Sequence, residues 1–471
     1  MKHFLKIIFA LLLISTVFFG CDKDDNIQSN PNGAIPDVNF EQKLIDLGYD
    51  DVIDGEILIS NLTNVLELNI NGFGNTDNDI TDLTGIAFFK NLEKLNCSGQ
   101  SLSSIDLSSN LSLKELEITD IKTKDLTTLN LNENTNLEIL KCFRSGIENL
   151  ELNNNINLKE LYIFENKLTN LDLSNNSALK LLRCASNAFN SLDLSNNTEI
   201  EDLDCRFMNL TNLDISNNKK LKNLYADGNQ ITSIDVSANT DLEVLSFWKN
   251  QITSIDIGTN LALKGFNCAD NLLTNLDVSK NLEMTFLGCN NNNLSSLDVS
   301  KNVALIGLSF GSNPINSIDL SANSNLKDVY ADFLPMIDLD VSNNLELQFL
   351  YCNDSQLSNL DISNNKALLW LKCDNNQLTS LNIDGLVELA ILECSNNQLT
   401  SLNLASNTKL SSINCSNNLL NSLDVSANTV LNTLNCTSNN LTCIQVNDSQ
   451  LNNIPEGWSK DVSSNYAINC N

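Results

Sequence analysis

Residues 389–409 read LAILECSNNQLTSLNLASNTK, and residues 410–430 read LSSINCSNNLLNSLDVSANTV. Laid one over the other, they match Leu389 with Leu410, Leu392 with Ile413, Cys394 with Cys415, Asn397 with Asn418 and Leu399 with Leu420. The same interval of 21 residues separates Cys184 from Cys205, Cys268 from Cys289, and each member of the series Cys352, Cys373, Cys394, Cys415 and Cys436 from the next. Where the cysteine is missing, Ile163, Ala226, Phe247, Phe310 and Ala331 hold the register. Self-similarity at a fixed short period means one supersecondary unit repeated, and it displaces the two or three globular domains that 471 residues would otherwise suggest.

Within each unit the front half alternates apolar and polar residues in the strand manner, with no helical period. One such strand cannot bury its apolar face alone, so only stacked turns are stable. About seventeen regular units begin at Leu92, Leu113 and Leu137 and recur to Leu431, after an irregular first turn around Val65 to Ile86. The longer step from Leu113 to Leu137 fits a three-residue insertion near Ile121 to Asp125. At ~4.8 Å per strand spacing, seventeen turns make an arc of roughly 80 Å. The rear half reads x-x-L-D-L-S-x-N, as in Leu171-Asp172-Leu173-Ser174 with Asn176 and Leu297-Asp298-Val299-Ser300 with Asn302, and it too alternates. The expected fold is therefore a β-rich repeat solenoid with short extended segments on both faces. An inward asparagine after each front strand, such as Asn187, satisfies backbone groups left open by the bend.

The pattern L-x-x-L-x-C-x-x-N-x-L, seen in Leu179, Leu182, Cys184, Asn187 and Phe189, resembles the leucine-rich-repeat consensus. That resemblance implies a horseshoe or arc with the cysteine strand on its concave side. Ahead of the repeats, Pro36 to Glu41 opens a short amphipathic helix, with Asp37 as N-cap and Phe40, Leu44 and Leu47 on one face. This helix and the run Ile80-Thr81-Asp82-Leu83-Thr84-Gly85-Ile86 are similar to the cap and first repeats of internalin-type bacterial leucine-rich-repeat proteins. The 21-residue length, the cysteine and the L-D-L-S rear depart from that family, so no internalin receptor is implied.

At the N-terminus, Lys2 and Lys6 precede an apolar run from Ile7 to Leu13, which reads as a signal peptide over residues 1–20. Gly20-Cys21 resembles the lipobox of bacterial lipoproteins, which implies a diacylglycerol on Cys21. Asp22-Lys23-Asp24-Asp25 is similar to short signals that send lipoproteins to the outer face of some Gram-negative cells. The expected organisation is a lipidated acidic tether over 21–36, an N-terminal cap over 37–64, the solenoid over 65–442 and a C-terminal cap over 443–471. These resemblances imply a bacterial surface lipoprotein, held in the outer membrane through its lipid and exposed at the cell surface.

Removing residues 1–20 removes His3, the only histidine. Histidine is the usual general base and the commonest zinc ligand, so the reading is of a non-enzyme with no cofactor, no metal and no catalytic residue. A pair of carboxylates facing across a cleft would support glycoside hydrolysis, but no such pair stands out. The formal charge of -30 lacks the Lys/Arg stripes that nucleic acid or an anionic membrane surface would require. Of the fourteen cysteines, the eleven in register are expected to be buried free thiols, since stacked strands hold Cβ atoms further apart than a disulfide prefers. Cys443 and Cys470 stand outside the register and are expected to form a disulfide over the open end of the core. Asp172, Asp193, Asp214, Asp235, Asp256, Asp277, Asp298, Asp319, Asp340 and Asp361 recur once per turn on the rear. Either they hydrogen-bond local serines as a solvated acidic face, the favoured reading, or they bridge calcium between turns. Asp50 to Glu56 fails as a calcium loop because Val52 stands where an oxygen ligand is needed.

Solenoids recognise partners through outward positions of the concave strands. The position before the register residue is bland in late turns, Asn414 and Asn435, but earlier holds Tyr162, Arg183, Tyr225, Tyr330 and Tyr351, four of the six tyrosines. The position after it adds Phe143, Phe164, Arg206 and Trp248, and the outward position two residues upstream of the tyrosine column adds Phe286, Phe349 and Trp370. Tyrosine, tryptophan and arginine supply most of the energy at protein interfaces, and aromatic faces stack on sugars. The asparagine ladder is interrupted at Ser145, Met208, Leu334 and Ser355, which suggests turns bent to shape a site. The expected function is a surface protein binding an extracellular protein or glycan on this face, in adhesion or nutrient capture. The competing expectation is a structural spacer without a ligand.

Overall fold

The computed structural model describes residues 32–72 and 78–470. The signal segment, Cys21 and the Asp22 to Asp25 motif lie outside the described residues. Among those described, nineteen short strands form one parallel sheet, from Glu67–Asn69 at one edge to Gly457–Ser459 at the other. Its register is the sequence period itself. Leu182 lies opposite Leu161 on one side and Leu203 on the other. The two edge strands do not pair with each other, so the sheet is open.

The strands are short because the chain leaves the sheet just after the register residue. Ser186, at φ 56°, takes the left-handed conformation and turns the backbone inward. One residue per turn does this, mostly a non-glycine, at a conformational cost on the order of 1 kcal/mol. The inward asparagine offsets it. Asn187 Nδ2 donates to Ile163 O at 2.9 Å and Cys184 O at 3.0 Å, while its Oδ1 accepts from Leu168 N at 3.1 Å.

A second, fully buried asparagine ladder runs along the rear from Asn110 to Asn428, and the sequence reading gave it no role. Asn176 Nδ2 donates to Leu152 O at 3.1 Å and Asn155 O at 2.8 Å, so each asparagine clips the turn before it. Leu386 is the one break among the described residues. The ladder ends on Gln450, whose Nε2 donates to Val425 O and Asn428 O, both at 3.1 Å. The front ladder begins the same way, with Gln100 Oε1 accepting from Ile80 N at 2.7 Å and its Nε2 donating to Ile70 O. Among the described residues the rear segments pair as strands only at Thr128–Leu129 with Asn149–Leu150, and at Leu423–Asp424 with the C-terminal strands Cys443–Gln445 and Asn465–Ala467. Elsewhere the buried asparagines hold them.

The rear aspartates are turn residues. Asp172 and its counterparts accept the backbone N–H two residues on, at 2.9 Å for Ser174 and 3.0 Å for Ser216. Asn130, Asn382 and Asn403 occupy the same column and accept the same bond, so the charge is dispensable there. The backbone N–H of Ser216, then its hydroxyl, holds the Asp214 carboxyl below its ordinary value of 3.8. A lowered folded pKa means the contribution is present above that value and is lost as pH falls through it. Asp214→Asn should therefore leave the melting temperature unchanged at pH 7 and improve it relative to the parent near pH 3. Asp214→Ala should lower it at pH 7. A calcium-dependent drop for Asp214→Asn alone would overturn the turn reading.

The N-terminal cap is built from helix Val38–Asp46, with Asp37 Oδ1 accepting from Asn39 N at 2.9 Å and Phe40 N at 3.0 Å. Phe40 and Leu44 are buried, but Leu47 ends the helix and is exposed, against the expectation that it shares their face. Leu47 is the C-cap, and the chain leaves the helix there through Gly48 at φ 79°. Strand Asn32–Ala34 pairs antiparallel with Glu56–Leu58 and leads into buried Ile35. The cap thus takes in part of 21–36, which the sequence reading assigned wholly to the tether. The eleven register cysteines are free and buried, and burial pushes the thiols of Cys97, Cys142 and Cys289 up to about 12. A disulfide joins Cys443 to Cys470.

Candidate functional site

Because side chains alternate, each front strand turns its middle residue inward and its flanking residues outward. With the residue after the register position, this makes three outward columns on the main sheet. Neighbours in a column sit one strand spacing apart, about 4.8 Å, close enough for large side chains to touch. The eleven candidate side chains all stand in these columns, most of them half-buried against one another. The structure divides them into separate groups.

In the first, Phe143 and Phe164 stack with centroids 4.2 Å apart, and Arg144 lies 5.7 Å from the Phe164 ring while bridging Glu165 at 2.9 Å. The second is ionic. Asp202 and Asp204 hold Arg183 at 3.0 and 3.7 Å, Asp204 holds Arg206 at 2.7 Å, and both guanidiniums lie over Tyr225 at 5.9 and 5.5 Å. Tyr162 donates to Glu160 at 3.0 Å; burial, then this bond, pushes its hydroxyl up to about 12. The arginines are therefore spoken for by carboxylates that the sequence reading passed over. Asp202 and Asp204 stand in the same outward columns as the large residues, and the period alone places them there.

The third group starts at Trp248, edge-on to Phe207 at 6.3 Å, with its indole N–H donating to Asp270. Its backbone N–H donates at 2.7 Å to Asp227, a carboxylate raised by burial despite its hydrogen bonds to Ser246 and Trp248. Phe286 follows, exposed and without a ring or cation partner among the described residues. The last group is a continuous aromatic wall: Tyr330 edge-on to Tyr351 at 5.0 Å, Tyr351 stacked with Trp370 at 6.5 Å, and Phe349 edge-on to Trp370 at 5.5 Å. Lys372 lies 5.4 Å from the Tyr351 ring and bridges Glu393 at 2.9 Å.

The four ladder interruptions do not break the strand pairing. Register runs unbroken through Asp202 opposite Asn223 and Asp328 opposite Phe349. Ser145 Oγ donates to Ile118 O at 2.7 Å in place of an amide, while Met208 and Leu334 fill the space with apolar atoms. The interruptions exchange one filler for another.

No protein-family model and no curated protein matches the chain. Among solved structures, the functional domain of InlJ from Listeria monocytogenes, described as including a cysteine ladder, aligns with a TM-score of 0.63 at 27% identity over 86% of this chain and 82% of that one. A leucine-rich-repeat protein of Leptospira interrogans aligns with a TM-score of 0.65 at 24% identity over 72% and 92%. The Arabidopsis receptor kinase HAESA, in complex with the peptide hormone IDA and the co-receptor SERK1, aligns with a TM-score of 0.64 at 19% identity over 86% and 80%. The fold is that of a leucine-rich-repeat solenoid, mostly strand with few helices, and its bacterial neighbours are internalin-like.

Proposed function

We propose that this chain is a lipid-anchored protein of the bacterial outer membrane that binds an extracellular protein or glycan on its concave sheet, serving adhesion or nutrient capture. The observation that carries the reading is the collection of aromatic and arginine side chains into the outward columns between Phe143 and Lys372. Residue types that dominate interface energetics gather there, whereas the rear is a solvated acidic face. HAESA, a protein of the same fold, is seen with a peptide hormone, which supports a ligand-binding solenoid rather than a catalyst. Lys2 to Asp25 supports the anchor and the surface location.

The soluble chain from Asn26 onward, probed against extracellular proteins and glycans on arrays, should find a binder. Joint replacement of Tyr225, Trp248 and Tyr351 by alanine should weaken that binding by roughly a hundredfold or more, since hot-spot side chains contribute ~2 kcal/mol or more each. Unchanged binding by the folded triple variant would favour the spacer reading, for which the bland late turns around Asn414 and Asn435 would suffice.

A further inference from the structure

Between Trp248 and Tyr330 the concave face sinks into an open basin of about 420 Å³, lined by Trp248, Asn267, Ala269, Phe286, Gly288, Asn290, Ser309 and Tyr330. Its shape follows from glycine. In the column of Phe286 the neighbouring turns place Gly265 and Gly307, and two residues further along its own strand stands Gly288. A Cβ on Gly307 would lie 3.1 Å from the Phe286 ring, and one on Gly288 would lie 3.3 Å from it. With no side chains to prop it up, the ring lies against this floor. Every other aromatic among the candidates packs on a second ring, a cation or a hydrogen-bonded neighbour; Phe286 does not.

The polar groups around the ring are also uncommitted. Asn267 and Asn290 use their oxygens, accepting from Ala269 N at 3.2 Å and Ser309 Oγ at 3.0 Å, but their amide N–H groups donate to no described residue. The Tyr330 hydroxyl and the Asp328 carboxylate, which stands 4.0 Å from a Cβ position on Gly307, are likewise without a hydrogen-bond partner. A flat apolar platform ringed by spare donors and one spare acceptor matches a molecule with an apolar face and a rim of hydroxyls. An apolar peptide side chain would leave the rim unsatisfied. An anionic ligand would meet Asp328 in a chain of net charge -30.

We propose that this basin binds a neutral sugar ring of a polysaccharide, stacked on Phe286, with hydroxyls bonded to Asn267, Asn290 and Asp328. The proposal rests on the concave-face reading and names its ligand class. Affinity electrophoresis of the soluble chain through gels containing a β-glucan, a mannan, a galactan or polygalacturonate tests it. At least one neutral polymer should retard the chain, and polygalacturonate should not. Phe286→Ala and Gly288→Leu should each weaken retardation by about tenfold or more, while Asn414→Ala, on a bland late turn, leaves it unchanged. Gly288 occupies the column in which other turns carry tyrosine or arginine, and a Cβ there would also stand 3.0 Å from Asn267 Oδ1, so a leucine fills the basin and pushes on its rim; an unchanged melting curve shows that the fold is kept.

No retardation by any neutral polymer, stronger retardation by polygalacturonate, or full retardation of both basin variants would overturn the proposal. If array binding is lost in the Tyr225/Trp248/Tyr351 variant while neutral polymers never bind, only the sugar assignment falls. If nothing binds at all, the concave-face reading falls with it.

Discussion

Replacing Cys443 and Cys470 together by alanine is expected to lower the stability of the last turns by about 3–4 kcal/mol while leaving the rest of the solenoid as it was. The disulfide closes a segment of sequence separation 27, and restraining a loop of that size in the unfolded chain gives a stabilisation of this order. Locality follows from the architecture, because each turn touches only its neighbours and stability is close to a sum of turn and interface contributions. What the disulfide holds down is the end of the core: Leu441, Ile444 and Val446 are buried, and Trp458 covers Leu434 from the next strand while its indole N–H donates to Leu431 O at 3.2 Å. Amide hydrogen exchange provides the measurement. Protection over residues 423–467 should fall by two to three orders of magnitude, on the order of 10²–10³, with no change before residue 390. A uniform loss along the chain would show that the solenoid unfolds as one unit, and no loss would show that Trp458 and Gln450 seal the end unaided.

The fold was legible from the front strands because Leu182, Cys184 and Asn187 recur at a fixed interval, and a parallel sheet of stacked turns has no other register to adopt. Asn176 was legible as a repeated residue but not as a buried one. Its burial depends on the carbonyls of Leu152 and Asn155, 24 and 21 residues earlier, meeting its amide, and no local property of the sequence encodes that coincidence. The candidate site was legible only in its large residues. Tyr225 and Arg206 could be placed in a column from the period alone, but their pairing depends on Asp204, and small acidic residues are too common here to draw notice. The basin was invisible for the opposite reason: Gly288 and Gly307 act by what they lack, and the effect appears only when the neighbouring turns lie beside them.

Asn260→Ala is expected to destabilise the protein by about 2–4 kcal/mol, more than any surface substitution on the concave face. Asn260 is fully buried, and its Nδ2 donates to Val236 O at 3.0 Å and Asn239 O at 2.8 Å. Alanine removes both donors and leaves two buried carbonyls with one acceptor site each unfilled, besides a small void. Its Oδ1 accepts no hydrogen bond, so the donors carry the role. Asn260→Asp should therefore be worse than alanine, because it removes the same donors and adds a buried charge. Asn260→Leu keeps the volume and loses only the donors, so it should fall between the parent and alanine, as the chain's own tolerance of buried Leu386 in this ladder suggests. Urea unfolding midpoints of the three variants would order as leucine, alanine, aspartate from mildest to most severe. An alanine variant within about 0.5 kcal/mol of the parent would mean that the rear ladder follows the stacking and does not enforce it. The outcome bears on binding as well, because the rear clips fix the rise per turn that aligns Trp248, Phe286 and Tyr330 on the opposite face. A loosened clip at Asn260 sits between the strands Val244–Ser246 and Gly265–Asn267, where the basin begins.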